Sequence, residues 1–231
     1  MEINTSQRRE SSMSAYLTKE LTDLGIKFEE ISKDLLLLED FISQEEIDDY
    51  LEIINNTPDE DWFIEYTSNL KRFCMEKFGR DDVDNLVAEG KFEITRNWED
   101  KNLVIRAYPI YHTVYQRLNK AVVNEGNNLE LSGLATLQRM QPGVELKAHT
   151  DQDTDPSIRY ATILYLNDEY ADGELFFKNL DLKIKPKKGS LLIFPGTSDF
   201  HHGVIPVGEG PIRYVLVGFI KEKNFYENNK Y

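Results

Sequence analysis

Two periodicities divide the chain near residue 126. Before it, apolar residues recur mostly at helical spacing; after it, short β-rich runs alternate with turn residues. Ser43 is a good N-cap, Glu45 and Glu46 place acid in the first turn, and Ile47, Tyr50, Leu51 and Ile54 then share one helical face. A second helix is predicted over Asp61–Phe78, with Trp62, Phe63, Tyr66, Leu70, Phe73 and Phe78 mostly on one side. A third is predicted over Ile110–Asn124, carrying Val114, Leu118, Ala121 and Val122. Leu35–Leu38 breaks the pattern: four leucines between Asp34 and Glu39 read as a buried strand. Residues 1–30 are polar and weakly patterned, which suggests a loosely ordered arm with a short helix near Ser14–Leu24.

The second half reads as strands at Leu134–Met140, Tyr160–Leu166, Glu174–Phe177, Leu182–Ile184, Ser190–Phe194, Gly203–Ile205 and Arg213–Ile220. Between them stand turn formers such as Gln141-Pro-Gly143, Ala171-Asp-Gly173, Lys187-Lys-Gly189 and Gly208-Glu-Gly210. Many short strands at close spacing argue for a sandwich or barrel of the jelly-roll kind. The expected fold is mainly β with N-terminal helices packed outside that core. The expected organisation is one domain over 31–231, with helical support at 43–125 and the β core at 131–221.

Composition narrows the function classes. Of 231 residues, 40% are hydrophobic and 11% aromatic, enough for a sizeable core. No run approaches the roughly 18 apolar residues of a membrane helix, and the polar start has no apolar signal region. The single cysteine excludes an internal disulfide or a multi-cysteine metal site, and makes a reducing, cytoplasmic setting the default expectation. The net charge of −14 is uneven: residues 1–60 hold 16 acidic against 5 basic side chains, the remainder 25 against 22. Such a chain repels phosphate backbones, so neither a nucleic-acid partner nor a membrane is expected.

Four histidines remain for chemistry: His112, His149, His201 and His202. In His149-Thr150-Asp151 the i and i+2 side chains point to one side of an extended segment. An imidazole and a carboxylate from one edge, with a distant imidazole from His201 or His202, make a 2-His-1-carboxylate face for non-haem Fe(II). Arg213 opens a strand after Pro206-Val207 and Gly208-Glu-Gly210, and its guanidinium suits a bidentate carboxylate such as the far end of 2-oxoglutarate. His112 lies among Tyr108, Tyr111 and Tyr115 and reads as a packed residue.

These pieces resemble the 2-oxoglutarate/Fe(II) dioxygenase superfamily, most closely its prolyl 4-hydroxylase-like branch, over residues 131–221. His149-Thr-Asp151, Ile163-Leu-Tyr165-Leu-Asn167, Asp172-Gly-Glu-Leu-Phe-Phe177, Pro186-Lys-Lys-Gly-Ser-Leu-Leu-Ile-Phe194, His202-x-Val-x-Pro-Val207 and Arg213-Tyr214 occur in the family's order. Lys33–Glu46 is a weaker echo of the branch's first strand and helix. The resemblance implies a double-stranded β-helix with Fe(II) on His149, Asp151 and His202, the register selecting His202 over His201. It implies that Arg213 and Tyr165 bind the distal carboxylate of 2-oxoglutarate, with O2 as the second co-substrate and ascorbate keeping iron reduced. The implied reaction is hydroxylation of an unactivated C–H bond, most closely peptidyl proline, with 2-oxoglutarate converted to succinate and CO2. A free amino acid or small metabolite is the alternative substrate, and a jelly-roll binding module without catalysis the alternative function. Arg159 is a further candidate substrate contact. A nucleic-acid demethylase fits less well, since Phe219 stands where that branch carries a second arginine. One departure is Gln141, where the branch often has a tyrosine before Pro-Gly.

Overall fold

The computed structural model describes residues 17–19, 21–57, 63–65, 70–74, 117–118, 128–131 and 136–229. Its strands are β1 (Glu29–Ser32), β2 (Leu35–Leu38), β3 (Phe63–Glu65), β4 (Leu70–Cys74), β5 (Leu129–Leu131), β6 (Thr136–Met140) and β7 (Leu146–His149). They continue with β8 (Ile158–Tyr165), β9 (Leu175–Phe177), β10 (Leu182–Ile184), β11 (Leu191–Pro195), β12 (His202–Val204) and β13 (Arg213–Glu222). Its fully described α-helices are α1 (Gln44–Asn55), α2 (Asp151–Thr154) and α3 (Phe225–Asn228), and the described residues 17–19, 21–23 and 117–118 are also helical. The larger sheet runs β1-β2-β11-β8-β13-β6-β4-β3, with β5 also paired to β13; the smaller runs β10-β9-β12-β7. All these pairings are antiparallel. The two sheets form the jelly roll that the strand pattern suggested, the double-stranded β-helix that the resemblance implied.

The four-leucine run has a simple cause. Leu36 and Leu38 pack into one apolar layer with Ile47, Tyr50 and Ile54 of α1, while Leu35 and Leu37 face the space between the sheets. Neighbouring β8 and β11 divide in the same way: Leu164, Leu191 and Ile193 turn to the helical layer, Ile163, Leu192 and Phe194 to the interior. A strand covered on both faces needs apolar residues at every position, so alternation disappears. Leu17 and Leu21 also belong to the helical layer and are buried. Helix α1 begins with a complete capping box: Ser43 Oγ accepts from Glu46 N (3.2 Å), and Glu46 Oε2 accepts from Ser43 N (2.7 Å). Arg117 then bonds Glu46 Oε1 (2.7 Å) and the Phe41 carbonyl (2.6 Å), fastening the helix start.

The helix expected over Asp61–Phe78 is corrected: its described parts are β3 and β4. Lys71 to Cys74 pair with Arg139 to Thr136 of β6, giving hydrogen-bond partners to an edge that would otherwise stand open. Local apolar spacing favours a helix, but the distant strand edge wins. Of the helix expected at Ile110–Asn124, only Arg117 and Leu118 are described, both helical; the rest, with His112, lies outside the described residues. Strands β1, β5 and β7 were not predicted as strands. Among the described residues no helix is long and apolar enough to cross a membrane.

Candidate active site

The site begins with the pairing of β7 and β12. His149 stands directly opposite His202 in the register, and their ring centroids are 4.5 Å apart. Gly203 makes this approach possible, because a Cβ there would lie 2.5 Å from the Leu146 carbonyl oxygen and 2.9 Å from Ala148 N. After His149 the chain turns into the short helix α2, whose first residue is Asp151. Its Oδ1 lies 3.6 Å from His149 Nε2. Ligand atoms of His149, Asp151 and His202 all fall within 4.8 Å of one another, so the three side chains could hold a metal ion.

The surroundings fit that use. His149 Nδ1 contacts the Lys147 carbonyl (3.0 Å) and His202 Nδ1 the Phe200 carbonyl (2.9 Å). A carbonyl only accepts, so each ring carries its proton on Nδ1 and turns Nε2 towards the cluster. Asp151 is 4% exposed, yet its Oδ2 has no hydrogen-bond partner among the described residues. Such a buried orphan oxygen is costly unless something binds it. His202 packs against Phe194 (4.7 Å between rings) and Phe177 (5.9 Å). Burial pushes its pKa down to about 4, against the pull of Asp151, so the imidazole is neutral and able to ligate at pH 7. Two imidazoles and one carboxylate on one face are a donor set suited to non-haem Fe(II). His201 is half-buried, and its carbonyl accepts from Lys178 N.

Deeper in the jelly roll the interior rungs can be read from the register. Phe219, Ala161 and Phe194 form one, and Val217, Ile163 and Leu192 the next. Val215 and Tyr165 follow, and then Arg213 opposite Met140. Arg213 is 1% exposed, and no carboxylate pairs with it among the described residues. Its NH1 donates to the Met140 sulfur (3.2 Å), and its Nε is unpartnered among the described residues. The Tyr165 ring centroid is 5.3 Å from the guanidinium carbon and that of Tyr170 5.8 Å. Neither phenol hydroxyl meets a hydrogen-bond partner at normal geometry among the described residues, though Arg213 lies beside both. Burial pushes Tyr165 up to about 12 and Tyr170 upward too, Arg213 opposing both, so each stays a protonated donor at neutral pH. A buried guanidinium with no carboxylate partner among the described residues, beside two phenols, has the donor set that could receive a carboxylate.

The remaining candidates stand elsewhere. The Arg159 guanidinium is engaged by Glu222, donates to the Pro156 carbonyl (3.0 Å) and lies 5.4 Å from the Phe225 ring centroid. These contacts tie α3 to the start of β8. Gln141 opens the Pro142-Gly143 turn, its carbonyl accepting from Val144 N (3.0 Å) while Gly143 has φ of +81°. Tyr170 and Met140 were not predicted as site residues. Tyr170 lies in a turn, where neither strand nor helix periodicity says which way a side chain faces.

Residues 135–221 match the family model of the 2OG-Fe(II) oxygenase superfamily. Similar folds among solved structures include a prolyl hydroxylase from Trichoplax adhaerens in complex with a hypoxia inducible factor oxygen degradation domain peptide fragment. That pair has a TM-score of 0.59 and 13% identity, covering 100% of this chain and 99% of the other. A prolyl-4-hydroxylase from Pseudomonas putida gives a TM-score of 0.54 at 16% identity, covering 90% and 99%. The viral collagen prolyl hydroxylase of Paramecium Bursaria Chlorella virus-1, as its 2OG complex, gives 0.50 at 16% identity, covering 83% and 97%. Comparison with curated proteins found no match. Over residues 135–221 the chain is thus similar to the 2OG-Fe(II) oxygenase superfamily, whose dioxygenases use Fe(II), 2-oxoglutarate and O2, and His149, Asp151 and His202 could hold such an iron.

Proposed function

We propose that the enzyme hydroxylates a peptidyl proline, holding Fe(II) on His149, Asp151 and His202 and the distal carboxylate of 2-oxoglutarate on Arg213 and Tyr165. One observation carries the reading: the buried Arg213 lacks a carboxylate partner among the described residues and faces the same interior as the three ligand side chains. The prolyl hydroxylase folds, one of them with a bound peptide, support a peptide substrate.

The bound iron, with 2-oxoglutarate and O2, supplies oxidation of an unactivated C–H bond as 2-oxoglutarate becomes succinate and CO2. The chain's own part is placement. Carbonyls of Lys147 and Phe200 fix both imidazole tautomers, so no proton must leave a ring before it ligates. Arg213 and Tyr165 orient the co-substrate by its far end, leaving its keto-acid end directed along the interior towards the ligand cluster. Phe194, Phe177 and Phe200 pack around one another and exclude water on the His202 side. Stimulation by ascorbate and a cytoplasmic setting belong to the same reading.

The test is an anaerobic titration of Fe(II) and 2-oxoglutarate followed by visible absorption, on wild type and Asp151→Ala. A charge-transfer band in wild type alone is expected; no band in either protein would leave a jelly-roll binding module as the better account. Succinate release with proline-rich peptides against free amino acids then decides the substrate class.

A further inference from the structure

Tyr170 is the residue at this site that the sequence did not announce, and its surroundings hold it in one place. The turn that carries it is closed by a bridge between Asp172 and Val207, and Gly208 N donates to the Ala171 carbonyl (2.8 Å). Gly173 has φ of +68°, and a Cβ there would sit 3.3 Å from Tyr170 Cδ2 and Cε2 and 3.1 Å from Val207 Cγ2. Lys185 lies 4.4 Å from the ring centroid and donates to the Tyr170 carbonyl. The ring thus lies against Gly173 and Lys185, 1% exposed, with its hydroxyl unpartnered among the described residues. No hydrogen bond of normal geometry among the described residues uses that oxygen; a phenylalanine would fill the same space without burying a polar atom.

A carboxylate has about four lone-pair positions. A guanidinium fork uses two of them, and the two phenols beside Arg213 match the remainder. We propose that Tyr170 is a third donor to the distal carboxylate of 2-oxoglutarate, acting with Arg213 and Tyr165 and sharpening selection for dicarboxylic 2-oxo acids. The inference rests on the reading of Arg213 as the co-substrate's anchor.

The experiment is isothermal calorimetry on the Mn(II)-loaded full chain, which binds without turnover. Wild type, Tyr170→Phe and Arg213→Met are titrated with 2-oxoglutarate, and by competition with 2-oxovalerate, which has the same five carbons but no distal carboxylate. Tyr170→Phe is expected to weaken 2-oxoglutarate about tenfold, as loss of a hydrogen bond to a charged group does, and 2-oxovalerate less than twofold. Its thermal midpoint is expected to equal or exceed that of wild type. An unchanged affinity for 2-oxoglutarate, or equal weakening of both ligands, overturns the role of Tyr170 while the Arg213 reading stands if Arg213→Met loses 2-oxoglutarate. Wild type that binds no 2-oxoglutarate, or Arg213→Met that binds as well as wild type, overturns the underlying reading instead.

Discussion

The two faces of the larger sheet are built by the same strands and do different work. Towards the helices, Leu36, Leu38, Leu164, Leu191, Ile193, Leu216 and Ile220 make a continuous apolar layer. One residue along, the same strands turn Ala161, Ile163, Tyr165, Leu192, Phe194, Arg213 and Val215 to the interior. Among the described residues, polar atoms without a hydrogen-bond partner line that inner side at Asp151 Oδ2, Tyr165 OH, Tyr170 OH and Arg213 Nε. Each costs about 1–3 kcal/mol when unpaired. The helix-facing side therefore stores stability, while the interior gives some up to keep donors and acceptors in readiness for ligands.

Substitutions can test that division, beginning with the largest effect. Asp151→Ala should abolish 2-oxoglutarate turnover, a loss well beyond the hundredfold that outer metal partners give, measured as succinate released. Its metal-free unfolding midpoint should not fall. Leu164→Ala on the helical side should cost about 3–4 kcal/mol in urea unfolding and leave the Kd for 2-oxoglutarate within twofold of wild type. Arg213→Met should do the reverse. Calorimetry should show binding weaker by about 2–3 kcal/mol, while the ligand-free protein gains about 1 kcal/mol in stability. Equal destabilisation by Leu164→Ala and Arg213→Met would mean that the two faces are not divided in this way.

The smallest effect concerns pH. Burial disfavours the charged Asp155, but hydrogen bonds from Lys221, Ser157 and Tyr226 outweigh it and hold its carboxyl below the ordinary range. A depressed folded pKa means that its stabilising contribution is complete above the unfolded value of about 3.9 and fades as pH falls below it. Wild type and Asp155→Asn should therefore differ most in urea midpoint at pH 6, the gap narrowing as pH falls below about 4. A constant gap across that range would show that the bonds are indifferent to charge.

What could be read from sequence followed from how local each signal was. Leu35–Leu38 announced a two-sided burial, and the turn residues placed β6 and β8 to β13 to within a few positions except β7, whose Glu145-Leu-Lys-Ala run has weak alternation. His149 and Asp151 share one short segment, and the structure brings His202 opposite them, while His201 takes a backbone contact. The second helix was misread because the partner edge of β4 lies in β6, far along the chain, and periodicity carries no record of it. Tyr170 escaped for a related reason: its ring lies beside Lys185 and Arg213, which come from two later segments of the chain.

Strand β13 carries Arg213 at its beginning, and at its end Lys221 pairs with Asp155 (2.7 Å) and Glu222 with Arg159. Those two partners follow directly on the turn that holds Asp151. A slip of one residue in the pairing of β13 with β8 would turn Tyr214 inward and Arg213 out to the helices, and would move both ionic clasps off their partners. Errors in this strand are thus not graded. On the proposed reading, a molecule that has lost Arg213 from the interior has also lost the brace behind Asp151, and a chain able to recognise 2-oxoglutarate is one whose candidate metal-binding turn is already held.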